Sequence, residues 1–233
     1  MQEAPNIFEA GQVLLINKPL EWTSFDVVRK IRNAIKIKKV GHAGTLDPLA
    51  TGMLILCTGK FTKRINEYMA QEKEYTGTIT LGAITPTYDL ESEPQDFKDY
   101  SSITPEQLQA IAAQYTGEIM QVPPMHSAIK KDGKRVYELA RAGKTIELDP
   151  RRIVIKEFEF TKIELPVLHF RVVCSTGTYI RSLANDVGKA AGCGAYLSSL
   201  CRTRIGQFTL DKSMTMEEAM EWIAKEKAAG NEE

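Results

Sequence analysis

Hydrophobic positions along the chain repeat with two different periods. Val27, Val28, Ile31 and Ile35 recur at helical spacing behind Thr23 and Ser24, two residues suited to cap a helix, so a helix is expected to start there. Thr104-Pro105 opens a second helix, with the cap and the proline where a helix N-terminus favours them. Tyr179 to Ala191 reads as a helix opening after the Gly177-Thr178 turn, Phe61 to Met69 as helical, and Met216 to Lys227 as a closing amphipathic helix. Strand-like segments lie between these. Val13 to Asn17 and Met53 to Cys57 are short, wholly apolar runs of buried-strand length. Glu74 to Leu81 alternates, with threonines on one side, and Ile153 to Glu164 and Val167 to Cys174 read as two long antiparallel strands. Tyr196 to Ile205 is a further strand. Lys39 to Gly52 reads as a loop, Ile84 to Asp99 as an acidic surface loop, and Val122 to Pro150 as irregular, with a hairpin turn expected at Asp132-Gly133.

Strands and helices mix without a strict βαβ rhythm, and no internal repeat interrupts them. The pattern predicts an α+β fold on a central, mixed and mostly antiparallel sheet with flanking helices. No apolar run approaches membrane-spanning length, and Met1-Gln2-Glu3 lacks the basic and apolar regions of an export signal, so a cytoplasmic protein is expected. Cys57, Cys174, Cys193 and Cys201 form no Cys-x-x-Cys pair and read as reduced, mostly buried thiols. His42, His126 and His169 lack zinc-ligand spacing, so no metal is expected.

Charge refines this picture. The 30 basic and 30 acidic side chains cancel, which at first argues against a nucleic-acid partner. They are unevenly spread, however. Arg29, Lys30, Arg32, Lys36, Lys38 and Lys39 crowd one segment, and a second basic stretch runs from Lys130 to Arg152. A locally positive face attracts phosphates even on a neutral chain. Any one such cluster taken alone is more often a solvated helix face.

The densest candidate chemistry is Gly41-His42-Ala43-Gly44-Thr45-Leu46-Asp47-Pro48-Leu49-Ala50-Thr51-Gly52. Glycines bracket one acid, and an apolar strand follows. The proline pushes Asp47 towards an extended backbone, which suits a carboxylate held at a loop tip. From the dipeptide alone, an Asp-Pro turn without chemistry is the stronger reading. A phosphate-cradling loop does not fit: Gly59-Lys60 is followed by Phe61 and lacks the upstream glycine.

This segment resembles the catalytic motif of the TruB family of pseudouridine synthases. The resemblance extends in order through Asn17-Lys18-Pro19 with Trp22-Thr23-Ser24, Lys73-Glu74-Tyr75, Pro123 to Ala128 with Gly133 to Arg141, Gly177 to Leu183, and Leu197 to Gly206. It covers roughly residues 12 to 210. It implies a pseudouridine synthase fold with an RNA-contacting insertion at about 122–152, in a catalytic domain spanning 1–210. Residues 211–233 are then a helix and an acidic tail, too few for a full C-terminal RNA-binding domain.

The resemblance further implies isomerisation of uridine to pseudouridine at position 55 in the T arm of tRNA, by a monomer. The target base is flipped from its stack, and no cofactor is needed because no group or electron is exchanged with a second substrate. Asp47 would be the catalytic carboxylate, paired with Arg181. Tyr75 would stack on the base, Tyr179 and Leu200 would line the uracil pocket, His42 would help displace the base, and Lys18 would support the Asp47 loop or contact RNA. Without the family, Arg181 reads as a surface arginine at a helix start, Lys18 as a surface lysine and Leu200 as core packing. Two alternatives share the fold: a non-catalytic RNA-binding or RNA-folding module, and a pseudouridine synthase acting on another RNA.

Overall fold

A computed structural model describes residues 6–125, 127, 130–131, 134–135 and 148–229. The chain divides into two compact units, one of residues 1–75 with 201–233 and one of residues 76–200.

In the first unit, α1 (Ile7–Ala10) precedes β1 (Val13–Lys18), and α2 (Ser24–Ile35) follows. The capping expectation holds. Thr23 is the N-cap, its hydroxyl accepts the Asp26 N–H, and the Asp26 carboxylate accepts the Thr23 N–H. β2 (Val40–His42) and β3 (Ala50–Thr58) then form an antiparallel pair, with Val40 opposite Thr58 and His42 opposite Leu56. Residues 39–52 are thus not all loop. Both ends are drawn into the sheet, and only residues 43–49 remain as the connection.

β1 pairs antiparallel with β3 on the other side, Val13 to Cys57 through Lys18 to Gly52. The uninterrupted apolar run of β3 has a direct cause: both of its faces are covered. Leu54 and Leu56 pack with α2 residues Val27, Val28, Ile31 and Ile35, whereas Met53, Ile55 and Cys57 pack with Tyr68 and Ile205. A 3₁₀ turn over Gly59–Arg64 leads into α3 (Ile65–Met69), so the helix expected at Phe61 to Met69 is only partly α. The last helix, α6 (Met216–Ala229), buries Ala219 and Ile223 in the α2 cluster, and Trp222 meets Phe8 edge to face at 5.6 Å.

The second unit is built on β10-β4-β9-β8-β5 in that spatial order. β4 (Lys73–Leu81) and β10 (Ala195–Ile205) each have one end in the first unit's residue range. The threonine face of β4 meets serines of β10: Thr78 Oγ1 lies 2.8 Å from the hydroxyls of both Ser198 and Ser199. β8 (Arg151–Glu164) and β9 (Val167–Cys174) are the long antiparallel pair, with register shifts at Ile155/Glu157 and Phe160/Lys162. β5 (Gly117–Gln121), which the sequence pattern missed, pairs antiparallel with β8 from Gly117/Ile155 to Gln121/Arg151. It is too short to show a clear period.

α4 (Pro105–Gln114) carries the expected cap, Thr104, in a reciprocal box with Gln107, and packs on β8 and on α5 (Ile180–Ala191). The short strands β6 (Lys130–Lys131) and β7 (Lys134–Arg135) pair antiparallel; the turn expected at Asp132-Gly133 lies outside the described residues. β11 (Phe208–Thr209) pairs with β10. Among the described residues no helix is long and apolar enough to cross a membrane.

Candidate active site

Asp47 sits on the connection between β2 and β3, and four side chains or backbone groups of the first unit anchor that connection. Ser24, the first residue of α2, is buried and bonds the Leu46 backbone twice, accepting its N–H at 2.9 Å and donating to its carbonyl at 3.2 Å. Lys18 ends β1 with 0% of its surface exposed, and its ammonium donates to the carbonyls of Pro19 (2.9 Å), Trp22 (2.5 Å) and Pro48 (3.2 Å). The Pro48 carbonyl also accepts the N–H of Glu21 at 2.9 Å, from a residue held at φ +65°. Asp47 itself closes the turn by accepting the Ala50 N–H at 3.0 Å.

The fourth anchor is Arg202, which is 1% exposed. Its Nε donates to Met53 O at 2.8 Å, its Nη2 to Gly44 O at 3.1 Å and its Nη1 to Thr45 O at 3.5 Å. One planar guanidinium thus ties the start of the loop to the strand that follows it. Gly52 makes this approach feasible. It has φ +102°, and a Cβ there would stand 2.4 Å from the Arg202 carbonyl oxygen.

Electrostatics follow from the burial. Lys18 is pushed down from 10.5 to about 8, chiefly by burial, with the negative charge of Asp47 working in the opposite direction. Lys18 and Asp47 therefore feel one another, and the resting loop carries a cation beside its acid. His42, at the end of β2, is held below the usual imidazole range by burial, which favours the neutral ring. Tyr75 is buried on β4. The entry to that strand is fixed by Lys73, whose ammonium bonds the carbonyls of Met69 and Gln71 at the end of α3.

The second unit holds Tyr179, Arg181 and Leu200. Tyr179 is the N-cap of α5, and Arg181 is the second residue inside the helix. Arg181 is not the surface residue that its position at a helix start suggests; it is 4% exposed, donates from Nη1 to Thr87 O at 3.2 Å and places Nε 3.8 Å from Asp89 Oδ2. Asp89 is buried in turn. Its carboxylate accepts the N–H of Glu91, while the Thr87 hydroxyl donates to its backbone carbonyl. The expectation of a surface loop over residues 84–99 is therefore corrected at its first half: Thr85, Thr87 and Asp89 turn inward, because a buried guanidinium needs a carboxylate and a carbonyl around it. Leu200 lies half-buried near the end of β10.

Of the seven residues singled out by sequence, Lys18, His42, Asp47 and Tyr75 fall in the first unit and Tyr179, Arg181 and Leu200 in the second. Sequence reasoning missed Ser24 as an anchor, and it missed Arg202 and Asp89.

The fold has solved counterparts. Over 97% of its length the chain matches one chain of a Cbf5-Nop10-Gar1 complex with a TM-score of 0.75 at 28% identity, and spans 59% of that chain. A chain of an H/ACA RNP bound to a substrate RNA containing 2'-deoxyuridine gives 0.71 at 26% identity, with 97% of this chain and 56% of the other covered. The fold, together with the family and relatives it matches, defines an enzyme of the pseudouridine synthase class. Within that class, the N-terminal domain of TruB family pseudouridylate synthases matches residues 32–180, and the C-terminal domain of tRNA pseudouridylate synthase B matches residues 181–233. The chain belongs to the TruB family of pseudouridine synthases. Its relatives include the tRNA pseudouridine synthase B of Parabacteroides distasonis, 52% identical over 222 residues (93% of this chain, 94% of the relative). That of Flavobacterium johnsoniae is 52% identical over 217 residues, covering 90% and 95%.

Proposed function

We propose that the protein isomerises uridine to pseudouridine in the T arm of tRNA, at position 55, with Asp47 as its catalytic carboxylate. The observation that carries this reading is the anchoring of the Asp47 loop by Lys18, Ser24 and Arg202, which is more than a plain Asp-Pro turn requires. The chemistry needs an ionised acid at a fixed place. As the N1–C1′ bond of the uridine breaks, C1′ gains positive character; the carboxylate attacks or stabilises that carbon. The freed ring turns, C5 bonds to C1′, and the C5 proton leaves to complete the isomer. Arg181 supplies positive charge that favours the ionised acid. Tyr75 stacks on the base, Tyr179 and Leu200 line its pocket, and His42 helps hold the base out of its stack, a step that costs a few kcal/mol.

In this reading residues 1–210 form the catalytic domain, with the RNA-contacting insertion at about 122–152, and residues 211–233 add one helix and a tail. The protein works as a monomer in the cytoplasm. The exposed cations Arg29, Lys30, Lys36, Lys38 and Lys39 on and after α2 meet phosphates, so RNA affinity falls steeply with salt.

The decisive test is Asp47→Asn assayed on T-arm RNA and whole tRNA transcripts, with pseudouridine mapped by position. The expected result is loss of product with RNA binding retained. Normal turnover by that variant, or wild-type product only in another RNA, would overturn the reading.

A further inference from the structure

The described helices of ten or more residues are capped in two ways. α2, α4 and α6 are closed locally, by Thr23 with Asp26, Thr104 with Gln107 and Thr215 with Glu218. In each, a hydroxyl and a side chain three residues on exchange bonds with the backbone. α5 has no such cap; its N-cap residue, Tyr179, makes no side-chain capping bond. The work is done from 58 residues away. Gln121, the last residue of β5, is 2% exposed, accepts the Tyr179 N–H on Oε1 at 2.8 Å and donates from Nε2 to the Tyr179 carbonyl at 3.1 Å. The same carbonyl accepts the Leu183 N–H at 3.1 Å, the first bond of the helix. One step along the chain, the Val122 carbonyl accepts the Ser182 hydroxyl at 2.8 Å.

This arrangement is chemically selective. At neutral pH a carboxamide offers an acceptor and a donor side by side, as a neighbouring strand does, and so can satisfy both the N–H and the C=O of one residue, which an ionised carboxylate cannot. We infer that Gln121 is a positioning residue for the reaction: by clasping the Tyr179 backbone it sets where α5 begins, and so where the Tyr179 ring and the Arg181 guanidinium stand. In that reading Gln121, buried against the Tyr179 backbone, is assigned no contact with base or ribose. Its effect passes through two side chains to which the proposed function assigns roles, so the inference rests on that reading. Its place in the chain adds a consequence. Gln121 and Val122 are the root of the segment leading into the basic stretch, and the clasp joins that root to the helix start bearing Arg181.

The test uses the full-length protein and a tRNA transcript, with kcat and KM measured separately. Gln121→Leu removes both bonds at similar volume. A shift of the helix start of the order of 1 Å lowers kcat by about 10- to 100-fold, while KM for the RNA stays near that of wild type. Gln121→Glu keeps the acceptor but turns a carboxylate oxygen towards the Tyr179 carbonyl. Its kcat is low at neutral pH and recovers relative to wild type as acid protonates the new carboxyl and restores a donor. That pH-linked recovery is a signature that simple loss of packing would not produce, and it carries the test if Gln121→Leu folds poorly. The inference is overturned if both variants turn over within about twofold of wild type, well short of the loss expected from misplacement, if the loss lies wholly in KM, or if the Gln121→Glu deficit is flat with pH. Wild type inactive in the same assay would instead refute the enzymatic reading, and the inference with it.

Discussion

The loop that carries Asp47 and the helix start that carries Arg181 are held by different designs. Around Asp47 the anchors are many, and two of them are charged: Lys18 and Arg202 together donate six hydrogen bonds to carbonyls of the loop, of the strand that follows it and of the chain leading to α2, with Ser24 adding two more. At the start of α5 the backbone of Tyr179 is held by one neutral amide, Gln121, with Ser182 bonded alongside. Buried cations bound to several carbonyls make a stiff frame, because hydrogen bonds to charged groups contribute about 1.5–3 kcal/mol against about 1 for neutral ones. They also make it costly to disturb. A frame of this kind suits a carboxylate that must stay ionised in one place; a neutral clasp fixes direction without adding charge next to a guanidinium.

The contrast can be broken most forcefully at Arg202. Arg202→Met strips the charged donor from three carbonyls and is expected to destabilise the protein by about 3 kcal/mol, seen as a lower midpoint in urea, together with a loss of kcat. Arg202→Lys should not rescue it. A single ammonium cannot reach Met53, Gly44 and Thr45 at once, as the planar fork does. A lysine variant with wild-type stability and turnover would show that the loop needs only a positive charge nearby, and the two regions would then differ less than their geometry suggests.

How much of this was legible beforehand depends on the range of each contact. The Asp47 loop announces itself through its neighbours in sequence, glycines, proline and a following apolar run, and the caps Thr23 and Thr104 are legible because a capping box spans three residues. The buried strand β3 is legible because covering both of its faces removes polar positions. Arg202, Asp89 and Gln121 are not. Arg202 reaches 149 to 158 residues back, Arg181 reaches Thr87 across 94, and Gln121 reaches Tyr179 across 58. A period of two or 3.6 says which face a residue occupies and nothing about a partner so far along the chain. For the same reason Asp89 reads as one more acid in an acidic loop, although the guanidinium of Arg181 draws it into the interior. β2 is lost because three residues between a lysine-rich stretch and a glycine-containing loop have no period to detect.

Titrating Lys18 sharpens the comparison by a smaller step. Its folded-state pKa, about 8, lies below the ordinary 10.5. Between those values the unfolded chain binds the extra proton, so stability rises with pH in that window, and the penalty for burying the charge is fully present below pH 8. Turnover should move the other way. A neutral amine has two hydrogens for three carbonyls, so one of Pro19, Trp22 and Pro48 is released. A kcat that falls severalfold above pH 8 while thermal stability holds or rises is the expected pair of profiles. A kcat flat to pH 9.5 would mean that Glu21, which also donates to Pro48, is anchor enough.

The mildest change asks whether a remote clasp differs in kind from a local cap. α4 packs on α5, so it is a fair control: its own cap, Thr104, is exposed, and its box with Gln107 is local. Thr104→Ala should cost about 1 kcal/mol of stability and leave kcat unchanged, because fraying the first turn of α4 does not move the backbone of Tyr179. Stability and turnover measured side by side for Thr104→Ala and Gln121→Leu decide the matter. If the Thr104 variant loses kcat in proportion to its stability, helix caps in this unit act on turnover only by loosening the whole, and Gln121 has no special claim. If only the Gln121 variant slows, the start of α5 is the point at which the second unit's architecture becomes chemistry.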